Sequence, residues 1–140
     1  MKRTASAQWR GDLKSGKGTL SASSGVLSNT PYSFQTRFEE AKGTNPEELL
    51  AAAHAGCFSM ALSAQLGQAN LTPESIETTC TITLEKQPDG FAITSSHLDL
   101  QARVPGASQE AFDQAVQAAK TGCPVSKLYK ANITLTSKLL

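Results

Sequence analysis

Ala5, Ala7 and Trp9 alternate with Thr4, Ser6, Gln8 and Arg10, the period-2 pattern of a strand with one buried face. Gly11-Asp12 breaks it, and Gly16-Lys17-Gly18 marks another turn before Thr19-Leu20-Ser21. Tyr32 through Phe38 alternates aromatic and polar residues and predicts a third strand. The pattern then changes period. Asn45-Pro46-Glu47-Glu48 reads as a helix start, with Asn45 as N-cap, Pro46 at the first helical position and Glu48 three residues after the cap. From Leu49 to about Gln68 there is neither proline nor formal charge. Leu50, Ala53, Cys57, Met60 and Ala64 line one face, and Ala51, Ala55, Phe58 and Leu62 another. A helix apolar nearly all round is expected to be buried. Its small residues, Ala51, Ala52, Ala53, Ala55 and Gly56, would admit a second backbone closely, so a central helix is predicted.

Asn70 and Pro73 end that element. Ile76, Thr78, Cys80, Ile82 and Leu84 then alternate with Glu77, Thr79, Thr81, Thr83 and Glu85, a strand followed by the turn signal Pro88-Asp89-Gly90. Phe91 to Thr94 and His97 to Val104 predict a long antiparallel partner. Ser108 caps a second helix carrying Phe112, Ala115, Val116 and Ala119, and Gly122-Cys123-Pro124 breaks it. A short helical turn to Tyr129 and a last strand at Ile133–Leu135 complete the chain. Strands in antiparallel clusters separated by helices give an α+β class rather than a doubly wound one. With no repeat or linker, residues 1–140 are expected to form a single domain.

Composition changes this picture in one respect. Leu, Ile, Val and Phe make up only a fifth of the 140 residues, and aromatics 6%. A net charge of +1 argues against disorder, so the thin core suggests completion by a partner chain. Interspersed charges leave no footprint for nucleic acid or acidic membranes. The N-terminus lacks the apolar core of a signal peptide, and the apolar stretch Leu49–Phe58, with His54 inside it, is too short to span a bilayer. A cytoplasmic setting would keep Cys57, Cys80 and Cys123 reduced, and an odd count does not suit a structural disulfide framework.

Cys57 in the helix is either a small packing residue or a nucleophile. Cys123, next to Pro124, is either a buried turn residue or the N-cap of a short helix, where free N–H groups and the dipole lower a thiol pKa. Sixty-six residues separate them, and spacing alone does not say whether they meet. Cys80 lies on an apolar strand stripe, which favours packing. His54, at i and i+3 from Cys57, permits a Cys–His pair, with a satisfied helical histidine as the equal alternative. Metal-ligand spacings and phosphate-loop glycines are absent, so no metal or cofactor is expected. Arg37, near the predicted strand end, is either functional or a solvated charge.

Thr36-Arg37-Phe38-Glu39, Lys42 through Leu50, Ala53-His54-Ala55-Gly56-Cys57-Phe58-Ser59-Met60-Ala61-Leu62 and Lys120-Thr121-Gly122-Cys123-Pro124-Val125-Ser126 together resemble the osmotically inducible protein C (OsmC) family of the OsmC/Ohr thiol-dependent peroxidases. The resemblance covers nearly the whole chain, in order. It implies an intertwined homodimer whose antiparallel sheets wrap buried central helices, with two sites at the subunit interface. It also implies a stress-response peroxidase that reduces organic hydroperoxides, with hydrogen peroxide as a second candidate. Cys57 would be the peroxidatic cysteine and Cys123 the resolving one. Arg37 would sit beside the Cys57 sulfur, with Glu47 orienting it. An external thiol, lipoyl-type as the family-based candidate, would reset the enzyme. His54 and Cys80 receive no role from the resemblance.

One geometric difficulty accompanies it. Glu47 and Cys57 are about 15 Å apart along a continuous helix, and about 80° apart around it. Either Arg37 bridges the gap, the partner subunit supplies Glu47, or the helix is interrupted before Gly56; the thin core favours the partner. A site lined by Phe58 and Met60 would prefer alkyl or aryl peroxides. Two competing functions are a small-ligand-binding dimer with packing cysteines and a Cys57–His54 hydrolase.

Overall fold

The structure, a computed structural model, describes all residues from Met1 to Leu140. It divides into two compact units, Met1–Leu49 and Leu50–Leu140.

In the first unit, β1 (Ala5–Arg10), β2 (Lys17–Ala22) and β3 (Thr30–Ser33) form an antiparallel sheet in that order. Trp9 and Tyr32 lean on each other across it, ring centroids 5.3 Å apart. Gly18 between them leaves room for the Tyr32 ring, which any Cβ there would strike. Ala5 and Ala7 are exposed, so the alternation of β1 marks a face that this chain does not itself cover.

The predicted third strand ends early. From Phe34 to Phe38 the chain is a short helix, α1. The Ser33 hydroxyl accepts from the Thr36 N–H, and the Thr36 hydroxyl accepts from the Ser33 N–H at 2.9 Å. This reciprocal cap satisfies free helix-end donors and overrides the aromatic–polar alternation. Arg37 therefore sits on a helix, one residue from its end.

α2 (Pro46–Gln68) begins in the first unit and runs on without interruption. Asn45 starts it as expected, its side-chain oxygen accepting the Glu48 N–H at 2.8 Å. It is not buried all round. Only His54, Phe58, Leu62 and Leu66, spaced four apart, are buried. Ala52, Ala53, Gly56, Met60, Ala64 and Gly67 are exposed, Met60 at 76%. With 23 residues, including an 18-residue stretch of mean hydropathy 1.4, α2 does have the length and composition to cross a membrane. Its large buried side chains are instead packed within the second unit.

That unit holds β4 (Ser75–Gln87), β5 (Gly90–Arg103) and β6 (Asn132–Leu139), with β5 central. β4 and β5 form the expected hairpin, closed at Gly90 with φ +133° and bulged between Thr83 and Leu84. β6 pairs with β5 in parallel, so the sheet is mixed rather than antiparallel throughout. α3 (Gln109–Gly122) starts where Ser108 accepts the Ala111 N–H, and α4 (Pro124–Leu128) follows after Cys123. Leu98, Leu100 and Ala102 of β5, Phe58, Leu62 and Leu66 of α2 and Phe112, Val116 and Ala119 of α3 form one core that includes Cys123. The fold is α+β, as the pattern predicted.

Candidate active site

The predicted residues fall into two groups. In the first unit, Arg37 of α1 grips Glu47 in the first turn of α2 with two nitrogens. Nη2 donates to Oε1 at 2.8 Å, and Nε donates to Oε1 at 3.1 Å and Oε2 at 3.3 Å. A planar guanidinium suits this forked geometry and remains charged. Glu47 at the start of a helix is also favoured by the helix dipole. The Arg37 guanidinium lies 5.1 Å from the centre of the Phe38 ring. Beside it is a cavity of about 250 Å³ lined by Trp9, Leu13, Tyr32, Phe34, Arg37 and Phe38. Of the two residues expected to line an apolar site, Phe58 is fully buried in its own chain and Met60 is largely exposed.

In the second unit, Cys57 of α2 and Cys123, which ends α3 and starts α4, bring their sulfurs to 3.0 Å as free thiols sharing a hydrogen bond. Cys123 is fully buried and Cys57 half-buried. The two thiols differ electrostatically. Burial pushes Cys57 up, and its hydrogen bond to Cys123 adds to that, against a smaller opposing effect of the Val125 N–H. Burial acts upward on Cys123 as well. The hydrogen bond shared with Cys57, the N–H and hydroxyl of Ser126 and the Val125 N–H outweigh it and hold Cys123 below the usual thiol value. Donors at the start of α4 therefore favour the Cys123 thiolate. Nothing positively charged in its own unit does the same for Cys57.

A second cluster adjoins this pair. His54 is fully buried, with Nδ1 2.7 Å from Ser96 Oγ and Nε2 2.9 Å from Ser126 Oγ. The Cys80 sulfur lies 3.2 Å from Ser96 Oγ. Tyr129 stands edge-on to the imidazole, 5.0 Å between centroids, and its hydroxyl donates to the Leu50 carbonyl at 3.0 Å. Burial lowers the His54 pKa and raises that of Cys80, so both favour their neutral forms. Both ring nitrogens are engaged by serines, which leaves none for Cys57 and removes the basis for a Cys57–His54 hydrolase. Sequence reasoning missed Ser96 and Ser126. They lie 42 and 72 residues from His54, and the available signal was only the i, i+3 spacing of Cys123 and Ser126.

Comparison with known proteins adds to these observations. Residues 39–138 match the family described as OsmC-like protein. The chain is 57% identical over 133 residues to peroxiredoxin OsmC of Escherichia coli K12, covering 95% of this chain and 93% of that protein. It is 38% identical over 95 residues to organic hydroperoxide resistance protein-like 1 of Staphylococcus epidermidis, covering 67% of each. Among solved structures, the organic hydroperoxide resistance protein OhrB of Bacillus subtilis matches with a TM-score of 0.68 at 26% identity over 98% of both chains. An OsmC-like protein of Vibrio cholerae matches with a TM-score of 0.79 at 16% identity over 99% of both, a likeness of fold.

Proposed function

This chain belongs to the OsmC family, and we propose that it is a thiol-dependent peroxidase in which Cys57 reduces organic hydroperoxides and Cys123 resolves the oxidised product. The observation that carries this reading is the 3.0 Å approach of two free sulfurs brought together from α2 and the α3–α4 junction. A ligand-binding dimer with inert cysteines leaves that approach unexplained.

The Cys57 thiolate attacks the distal oxygen of R–O–O–H. The O–O bond breaks, the alkoxide takes a proton and leaves as R–OH, and Cys57 becomes a sulfenic acid. Cys123 displaces the hydroxyl, which leaves as water, and a Cys57–Cys123 disulfide protects Cys57 from irreversible oxidation. An external thiol, lipoyl-type as the candidate, restores both cysteines by exchange. Hydrogen peroxide is a second substrate of the same chemistry.

Cys57 needs help to ionise, since burial raises its pKa. A guanidinium beside it would stabilise the thiolate and polarise the peroxide, and Arg37, oriented by Glu47, is the residue for that role. The Arg37 side chain is 37% exposed, open enough to meet a second chain. Because α2 is continuous, about 15 Å of helix lies between Glu47 and Cys57. We therefore assign the Arg37–Glu47 pair that serves each Cys57 to the other chain of a homodimer. Gly56 supports this: a Cβ there would meet nothing within 4 Å in its own chain, although glycine costs a helix about 1 kcal/mol. That cost is understandable where another backbone packs against it. On this reading the 140 residues are one domain whose two units are completed by a second copy, in the reducing cytoplasm. The aromatic cavity beside Arg37 favours alkyl and aryl peroxides.

The test is thiol loss on adding tert-butyl hydroperoxide. The wild-type chain loses Cys57 and Cys123 thiols together. Cys57→Ser abolishes reaction, and Cys123→Ser allows one turnover and then accumulates oxidised Cys57. Turnover that survives Cys57→Ser overturns the assignment.

A further inference from the structure

We propose that His54 is a positioning residue for Cys123: acting through Ser126, it directs a hydroxyl proton at the resolving sulfur and keeps that thiol ready to ionise. This rests on the reading of Cys123 as the resolving cysteine. The link begins with helix geometry. Cys123 caps α4 and Ser126 is the third residue of that helix, the position whose side chain faces the cap in a capping box. Ser126 is buried and its Oγ lies 2.9 Å from His54 Nε2. On the other side of the ring, Nδ1 meets Ser96 Oγ at 2.7 Å, and Ser96 Oγ meets the Cys80 sulfur at 3.2 Å. The result is a line of hydrogen-bonded side chains from Cys80 through Ser96 and His54 to Ser126, three residues after Cys123.

A neutral imidazole has one N–H and one lone pair, and each serine has a single proton to give. The line can therefore point in two directions only. In the first, the Cys80 thiol donates to Ser96, Ser96 donates to His54 Nδ1 and Nε2–H donates to Ser126. The Ser126 proton is then free to point at Cys123. In the second, every donor reverses, Ser126 donates to Nε2, and Cys123 must keep its own proton to donate to Ser126. The first ends in a charge-assisted bond to a thiolate, and the second ends on the weak acceptor of the Cys80 thiol. Burial keeps both Cys80 and His54 neutral, which holds the line in the first direction. Cys123 is correspondingly held below the usual thiol value, with the Ser126 hydroxyl among the causes. Cys57 from α2 and Tyr129 after α4 are the other titratable groups that interact with Cys123, and Cys80 from β4 lies at the far end of the line, beside Ser96.

The consequence falls on one step. The Cys123 thiolate attacks the Cys57 sulfenic sulfur, the S–S bond forms, and the S–O bond breaks. The departing hydroxide takes up a proton equivalent to the one Cys123 released, so the sum is Cys57–SOH plus Cys123–SH to disulfide plus water. His54 and Ser126 end the step unchanged. The first step, peroxide attack by Cys57, does not use them.

The test follows iodoacetamide alkylation of Cys123 against pH in the full-length reduced protein, with the three cysteines separated by peptide mass analysis. It also follows disulfide formation after one equivalent of tert-butyl hydroperoxide. Ser126→Ala is expected to move the Cys123 midpoint up by about one pH unit and to slow disulfide formation about tenfold at neutral pH. The rate of Cys57 oxidation stays as in the wild type. His54→Phe gives the same shift, and Ser126→Thr, which keeps the hydroxyl, stays near the wild type. An unchanged midpoint in Ser126→Ala overturns the proposal, and that variant decides the matter if His54→Phe does not fold. Undiminished turnover in Cys123→Ser would overturn the resolving role instead, while the midpoint still judges the link from His54 to Cys123.

Discussion

The two faces of α2 have the same apolar character in sequence and opposite surroundings in the fold. His54, Phe58, Leu62 and Leu66 are fully enclosed by their own chain. Ala53, Gly56, Met60 and Ala64 are exposed. The enclosed face uses large side chains and one histidine with both nitrogens satisfied; the open face uses small residues around a single methionine. An isolated soluble chain gains nothing from keeping such a face uncharged in water. In the assembly proposed above, one helix would contribute to two cores, one belonging to the chain and the other shared between chains.

The strongest way to sharpen this contrast is to cut into the enclosed face. Phe58→Ala should remove about 3–5 kcal/mol of stability, because it leaves a cavity where the core cannot collapse fully. Urea unfolding would measure it. On the open face, a Cβ at Gly56 would meet nothing within 4 Å, so a Gly56→Leu chain should fold much as before. Dimerisation and peroxidase activity should both be lost, as read by analytical ultracentrifugation and peroxide turnover. A Gly56→Leu chain that remained dimeric and active would erase the distinction between the faces.

A smaller effect concerns pH. Burial lowers the His54 pKa below its ordinary 6.5. The unfolded chain therefore binds the extra proton first, and folding stability is lost as pH falls from about 6.5 toward the folded value. It is fully present above that window. Unfolding midpoints at pH 7.5 and 5.5 should differ in the wild type and differ less in His54→Phe.

Much of the fold was legible because local chemistry and periodicity agreed. Asn45-Pro46 opens α2, Ser108 opens α3, and Pro88-Asp89-Gly90 turns β4 into β5. Between Tyr32 and Phe38 they conflicted, and the Ser33–Thr36 cap prevailed over alternation. The parallel pairing of β6 was not readable, since a strand's own pattern says nothing of its neighbour's direction. The two cysteines were legible as motif positions, but their meeting was not, because 66 residues of chain lie between them. The His54 line was least legible of all. Serines are common, and only folding puts Ser96 and Ser126 on opposite sides of one ring.

The central claim is that the open face of α2 joins the Cys57 of one chain to the Arg37 of another, and subunit mixing tests it most directly. Arg37→Ala and Cys57→Ser homodimers should each be inactive. Unfolded together and refolded as an equal mixture, they form mixed dimers in which an intact Cys57 meets an intact Arg37 from the other chain. Peroxide turnover should return to about a quarter of the wild-type level, one working site in half of the dimers. A mixture that forms mixed dimers and stays inactive would contradict the account, because Arg37 would then act only within its own chain.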